Sequence, residues 1–185
     1  ETTGYIAGLF NLIFRTDDGG KSWIPLFDRT DNPKRLHFYA IHNVSGNLYL
    51  AREQGMVLKW SEDAQRFHAI SPDYKGTFFG ITDVGTSLLA FGLRGSAIRS
   101  DDQGAHWQRV ETNIHIAFTA AAHLPDGRLA LLSQGGDVLL STDKVNAFTA
   151  VPLRERAPAS AALAVVPDEL VIVGARGVRI ATLKR

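Results

Sequence analysis

The feature that most constrains this chain is an eight-residue string that occurs twice. Thr16-Asp17-Asp18-Gly19-Gly20-Lys21-Ser22-Trp23 and Ser100-Asp101-Asp102-Gln103-Gly104-Ala105-His106-Trp107 both fit S/T-x-D-x-G-x-x-W. Two weaker copies align with them. Ser61-Glu62-Asp63 is followed by Gln65 at the glycine position and by Phe67 one residue early. Ser141-Thr142-Asp143 is followed by Val145 in place of glycine and Phe148 in place of tryptophan. The third-position aspartates Asp18, Asp63, Asp102 and Asp143 are 45, 39 and 41 residues apart. A period of about forty residues is the length of one four-stranded propeller blade.

The residues before each box repeat as well. Gly8-Leu9-Phe10-Asn11, Gly92-Leu93-Arg94-Gly95 and Gly174-Ala175-Arg176-Gly177 all start 8 residues before a box or its expected start at Thr182. Glycine and asparagine tolerate the positive φ of a tight hairpin turn. Between these turns run short apolar segments, and none keeps a helical 3-4-3 pattern. The second unit reads as strand A (Phe38–Asn43), strand B (Leu48–Arg52), strand C (Met56–Trp60) and strand D (Phe67–Ile70). The expected fold is all-β, a β-propeller of four-stranded antiparallel blades with about five covered. The expected boundaries are a partial blade over 1–28, blades over about 36–72, 76–112 and 116–153, and a partial blade over 158–185. The first unit lacks strand A and the last lacks strand D. An unclosed sheet edge is a liability, so the ring is expected to be completed by further blades of a larger propeller or by another chain.

Composition removes several functional classes. The formal net charge of +1 offers no footprint for nucleic acid. Without cysteine there is no disulfide, thiol nucleophile or cysteine–zinc site. No apolar run reaches the eighteen or so residues of a membrane span, so no direct membrane insertion is expected. Residues 1–10 lack the basic stretch and cleavage site of a secretory leader. The six histidines show neither HxH nor HExxH spacing, so no metal is expected. The Gly-x-x-Gly turns join strand to strand, with no helix to receive a phosphate, and no cofactor is expected.

In the box, the hydroxyl and aspartate are suited to satisfy the N–H groups of their own turn, and the aromatic ring to pack between blades. The structural box residues are thus Thr16, Asp18, Gly20 and Trp23; Ser61 and Asp63; Ser100, Asp102, Gly104 and Trp107; Ser141, Asp143 and Phe148. Boxes are C–D turns and share one end of the blades with the A–B turns. The opposite end carries the B–C turns and D–A connections, and binding is expected there. It offers Arg52, Gln54, Arg94 and Arg176 from B–C turns, and Arg35, Tyr74, Arg154 and Arg156 from D–A connections. Arginine binds carboxylates in a bidentate manner, on a protein tail or an acidic sugar. No catalytic residue is assigned.

On these residues the chain resembles the BNR/Asp-box repeat propellers. Within them it is similar to the photosystem II stability/assembly factor-like group, including its exported bacterial members. The two complete boxes, the pairs Gly92/Gly95 and Gly174/Gly177, and the stretch from Asp31-Asn32-Pro33 to Tyr39-Ala40-Ile41 carry the resemblance. It implies a non-enzymatic protein-binding propeller. It also implies an assembly or accessory role toward a membrane or exported protein, and a periplasmic or otherwise exported location. The alternative it leaves is a sialidase-like glycosidase or carbohydrate-binding protein. Against the glycosidase, the arginine–isoleucine–proline element of sialidases is missing, and only Tyr39 and Tyr74 lie near the expected binding end.

Overall fold

A computed structural model describes residues 2–70, 72–142 and 145–183. The fold is all-β, that of part of a β-propeller, with five antiparallel sheets of three or four strands among the described residues. The first sheet is β1 (Gly4–Ala7), β2 (Ile13–Thr16) and β3 (Ile24–Pro25). The second is β4 (Phe38–Val44), β5 (Asn47–Arg52), β6 (Val57–Ser61) and β7 (Arg66–Ala69). The third is β8 (Phe78–Val84), β9 (Ser87–Gly92), β10 (Ala97–Ser100) and β11 (Gln108–Arg109). The fourth is β12 (Phe118–His123), β13 (Leu129–Ser133), β14 (Val138–Ser141) and β15 (Phe148–Val151). The last is β16 (Ala159–Val166), β17 (Glu169–Gly174) and β18 (Gly177–Thr182).

Packing divides the chain into two compact units, residues 1–88 with 100–107 and residues 89–99 with 108–185. The first unit is built around Ile13, Leu26, Phe38, Leu50, Leu58, Trp60 and Phe67, all buried between the first two sheets. The second is built around Ala120, Ala122, Ala130, Leu132, Val138, Ala159, Leu170 and Ile172. Alanines on β12 and β16 bring the strand backbones close, which suits an inner strand. Three inner strands, β4, β12 and β16, also carry a register break at their second residue, between Phe38 and Ala40, Phe118 and Ala120, and Ala159 and Ala161. Such bulges raise local twist.

The complete boxes brace themselves as their composition requires. Thr16 Oγ1 donates to Asp18 Oδ1 (2.8 Å) and accepts the Gly20 N–H (2.9 Å). Asp18 in turn accepts the Ser22 N–H at 2.9 Å and the Ser22 hydroxyl at 2.6 Å. Ser100, Gly104 and Asp102 repeat the pattern, with His106 in place of serine: its N–H reaches Asp102 Oδ1 at 2.8 Å and its Nδ1 lies 2.6 Å from Oδ2. The weak copies differ. Among the described residues Asp63 accepts no hydrogen bond. Instead Ser61 Oγ accepts the Ala64 N–H, and Glu62 accepts from Trp60 Nε1 and Gln65 Nε2. Ser141 Oγ accepts the Leu129 N–H of the neighbouring strand, and Asp143 lies outside the described residues. The aromatic positions also divide. Phe67 and Phe148 are buried, whereas Trp23 is 39% exposed. Trp107 is half-buried and its Nε1 donates to the Gly104 carbonyl, so this indole caps its own hairpin.

These hydrogen bonds lower the carboxyl pKa values. The Ser22 hydroxyl and N–H hold Asp18 at about 2, below its ordinary 3.8. The His106 N–H and ring hold Asp102 at about 2 as well. A depressed folded pKa stabilises the turn above the unfolded value, and that contribution is lost as pH falls through the folded one. Both braces are therefore intact above about pH 4 and released as pH approaches 2. A carbon-detected NMR titration is expected to show both carboxyls with midpoints near 2, with the Ser22 and His106 amides following them. Midpoints near 4 would mean that the braces do not form.

Candidate functional site

The end of the blades opposite the boxes is shaped by one recurring turn. Its first N–H bonds the carbonyl four residues on: Gly8 to Leu12 (2.9 Å), Arg52 to Met56 (3.1 Å), Gly92 to Ser96 (3.0 Å) and Ser133 to Asp137 (2.9 Å). In three of these turns the third and fourth residues are both left-handed, as Phe10/Asn11, Gln54/Gly55 and Arg94/Gly95. The third residue stands at the tip, with Phe10 at φ 55 and Arg94 at φ 57. A bulky residue held at positive φ is strained, and such strain concentrates at functional positions. The fourth residue meets the following D–A connection. A Cβ on Gly55 would stand 1.6 Å from the Tyr74 carbonyl oxygen, and one on Gly95 2.1 Å from that of Ile114. In the first turn the same position is Asn11, and its side chain replaces direct backbone contact. Asn11 Nδ2 donates to the Phe27 carbonyl (2.7 Å), and its Oδ1 accepts from Thr30 (2.9 Å) and Asn32 (2.8 Å).

The last unit departs from this turn. Gly174 pairs with Gly177 directly, which leaves Ala175 and Arg176 as a two-residue hairpin. Equal spacing in sequence therefore does not give Arg94 and Arg176 equivalent backbones. Arg176 is exposed at its hairpin tip and has no carboxylate within ion-pair distance among the described residues.

The candidate residues fall into three environments. Arg52 is 4% exposed, so it is no rim residue. Its Nη1 donates to Asn32 Oδ1 at 2.9 Å, while among the described residues its Nε has no partner. Burial pushes this guanidinium below its ordinary pKa, opposed by the nearby Glu53 charge. In the same unit Gln54 and Arg35 are exposed, and Tyr74 is half-buried with its ring 4.7 Å from that of Phe78. In the second unit Arg154 is exposed, and Arg156 is tied to Asp137 at 2.9 Å. Arg94 opens onto a cavity. A cleft of about 270 Å³ is lined by Arg94, Ser96, Arg109, Glu111, Asn113 and His115, among others. Thr112 fixes its floor by donating to the Gly95 carbonyl at 2.7 Å. Among the described residues Arg94 has no carboxylate within ion-pair distance. The cleft therefore presents a strained, unneutralised guanidinium beside a second arginine and a histidine.

A larger cleft, of about 1140 Å³, was not foreseen from the sequence. It lies in the first unit, at the box and A–B turn end of the second sheet. Tyr5, His42, Asn43, Lys59, Trp60 and Glu62 are among its lining residues. Tyr5 and Trp60 stand 6.4 Å apart at 57°, His42 Nε2 lies 2.8 Å from Asp83, and Lys59 donates to Gln103 at 2.8 Å. The only sequence signal was period-two alternation, which sends His42, Lys59 and His68 to one face of the sheet and Trp60 to the other. Among the described residues no group of three or more potential metal ligands occurs. No described helix is long and apolar enough to cross a membrane.

No protein-family model matches the chain, and no curated protein matches it in sequence. Solved structures match it in fold. YCF48 from Cyanidioschyzon merolae superposes with a TM-score of 0.73 at 14% identity, over 100% of this chain and 64% of that one. YCF48 bound to D1 peptide gives 0.66 at 19% identity, over 92% and 58%. The extracellular domain of the putative one component system BT4673 from B. thetaiotaomicron gives 0.77 at 12%, over 100% of this chain and 26% of that one. Virginiamycin B lyase from Staphylococcus aureus gives 0.69 at 12%, over 92% and 62%. This chain thus spans less than two thirds of each of these proteins. At these identities the likeness concerns the fold, and it joins YCF48, an extracellular domain and a lyase.

Proposed function

We propose that this chain is a protein-binding propeller module of the photosystem II assembly factor-like kind, exported, and non-enzymatic in its role. The observation that carries the reading is Arg94. It stands at a strained turn tip, without an acidic partner among the described residues, at the mouth of a cleft that also holds Arg109 and His115. A guanidinium placed so recognises a carboxylate with two parallel hydrogen bonds. The partner it suits is an acidic or C-terminal segment of another protein, and Glu111 in the same cleft accepts that segment's N–H groups. That a YCF48 structure holds a peptide supports a peptide ligand on this fold. The likeness to an extracellular domain agrees with an exported location.

The test is direct binding of short acidic peptides with free C-terminal carboxylates, read by calorimetry. Arg94→Ala is expected to weaken binding about tenfold to a hundredfold, in the range of one lost charge-assisted bidentate pair. Amidating the peptide terminus should cost a similar factor. Unchanged affinity in both experiments overturns the reading.

A second reading has one observation in its favour. The 1140 Å³ cleft combines Tyr5 and Trp60 with Asn43, Asn47 and Glu62, a mixture of rings and planar polar groups suited to a saccharide. Glycan binding lost in Tyr5→Ala, together with no peptide binding, would favour the carbohydrate alternative.

A further inference from the structure

The Arg94 cleft holds charges of both signs and leaves them apart. Arg94 and Arg109 line it, and so does Glu111. Among the described residues none of the three has an opposite charge within ion-pair distance. Separation along the chain is not the reason. Arg109 and Glu111 flank Val110, which is buried, while both of them are exposed. The backbone under Glu111 is also fixed. The Val110 N–H bonds the Ala97 carbonyl (2.9 Å), and the Glu111 carbonyl accepts the Phe148 N–H (2.9 Å). One residue on, Thr112 is tied to the Gly95 carbonyl at 2.7 Å.

A carboxylate on so fixed a stretch, sharing a cleft with two arginines and paired to neither, suits a ligand that engages the charges separately. A purely acidic segment sets its carboxylates against Glu111, and like charges brought together weaken a contact. A neutral N–H donor leaves the Glu111 charge uncompensated as water is displaced. A cationic N–H donor satisfies both the hydrogen bonding and the charge. We infer that the segment held by this cleft carries a lysine or arginine beside its carboxylate, the carboxylate on Arg94 and Arg109 and the basic side chain on Glu111. This rests on the reading of Arg94 above and adds Glu111 as the residue that selects among acidic termini. A sphere of about 270 Å³ is about 8 Å across. An extended chain advances about 3.3 Å per residue, so both charges come from about the last two or three residues.

Short peptides with a free C-terminal carboxylate test this. They differ only in carrying lysine, acetyl-lysine or glutamate at the penultimate position, and each is titrated against the whole chain by calorimetry. Acetyl-lysine keeps the length and an N–H but loses the charge. The lysine peptide is expected to bind about threefold to tenfold tighter than the acetyl-lysine one, with glutamate weakest. Glu111→Gln should abolish the lysine advantage, and Glu111→Lys should make glutamate the tightest. Arg94→Ala should weaken all the peptides alike. Glu111 is exposed and its hydrogen bond is made by its backbone. Circular dichroism will confirm the fold, and Glu111→Ser serves if Glu111→Gln fails that check. Peptides that bind and need Arg94, yet ignore lysine, overturn this inference and leave the Arg94 reading standing. A lysine preference that survives Glu111→Gln also overturns it. No binding by any of the peptides overturns both.

Discussion

Gly95→Ala is expected to cost about 4 kcal/mol, the sum of left-handed backbone strain and a core-like clash. Two terms add at this position. Its φ of +69 puts any Cβ residue in the left-handed region. Its Cβ would also stand 2.1 Å from the Ile114 carbonyl oxygen, which belongs to backbone and has no rotamer by which to yield. The D–A connection must then move, and with it the Thr112 hydroxyl bond to the Gly95 carbonyl that shapes the Arg94 cleft. Gly46→Ala separates the terms. It has φ +81 and no described atom within 4 Å of its Cβ, so only the backbone term of about 1 kcal/mol applies. Urea denaturation of both variants is the measurement. Equal losses would show that the connection does not rest on the turn.

What was legible in the sequence follows from how local the physics is. The box brace is confined to seven residues, from Thr16 to Ser22, and its hydroxyl, carboxylate and glycine announced it. The B–C turn needs a left-handed fourth residue, so glycine or asparagine marked it in four of the five units. Features that depend on a second segment were not legible. Arg52 reads as a rim charge until the loop carrying Asn32 closes over it. The brace in the second box passes from Asp63 to Ser61 and Glu62 because Gln65, at φ 48, turns its amide back onto Glu62. Arg176 looks equivalent to Arg94 by spacing, yet β17 and β18 stay paired to Gly174 and Gly177 and leave only a two-residue turn. The tyrosine–tryptophan cleft at the box end brings together residues more than fifty positions apart, which the alternation within single strands does not juxtapose.

Asn32 is expected to be the most sensitive polar residue of the first unit, with Asn32→Ala costing about 3–5 kcal/mol. The residue is buried, and its amide serves three segments at once. Nδ2 donates to Asn11 Oδ1 (2.8 Å) and to the Leu36 carbonyl (2.9 Å). Oδ1 accepts the Leu36 N–H (3.1 Å) and Arg52 Nη1 (2.9 Å). Truncation to alanine leaves the Leu36 backbone groups without these bonds and removes the Asn32 acceptor from a buried cation whose Nε is already unpaired among the described residues. The cation is the expensive part, because an uncompensated buried charge costs more than a lost neutral hydrogen bond. Arg52→Met tests this division. It removes the charge at similar volume and should cost less than about 1 kcal/mol, since replacing a poorly compensated buried ion by an apolar side chain is often neutral or favourable. In the Asn32→Ala/Arg52→Met double variant, part of the Asn32→Ala loss should be recovered, giving a coupling of about 1–3 kcal/mol in chemical denaturation. Strict additivity would mean that Asn32 acts only through the turn, by holding Asn11 and Leu36, and that the buried guanidinium finds its own solvation.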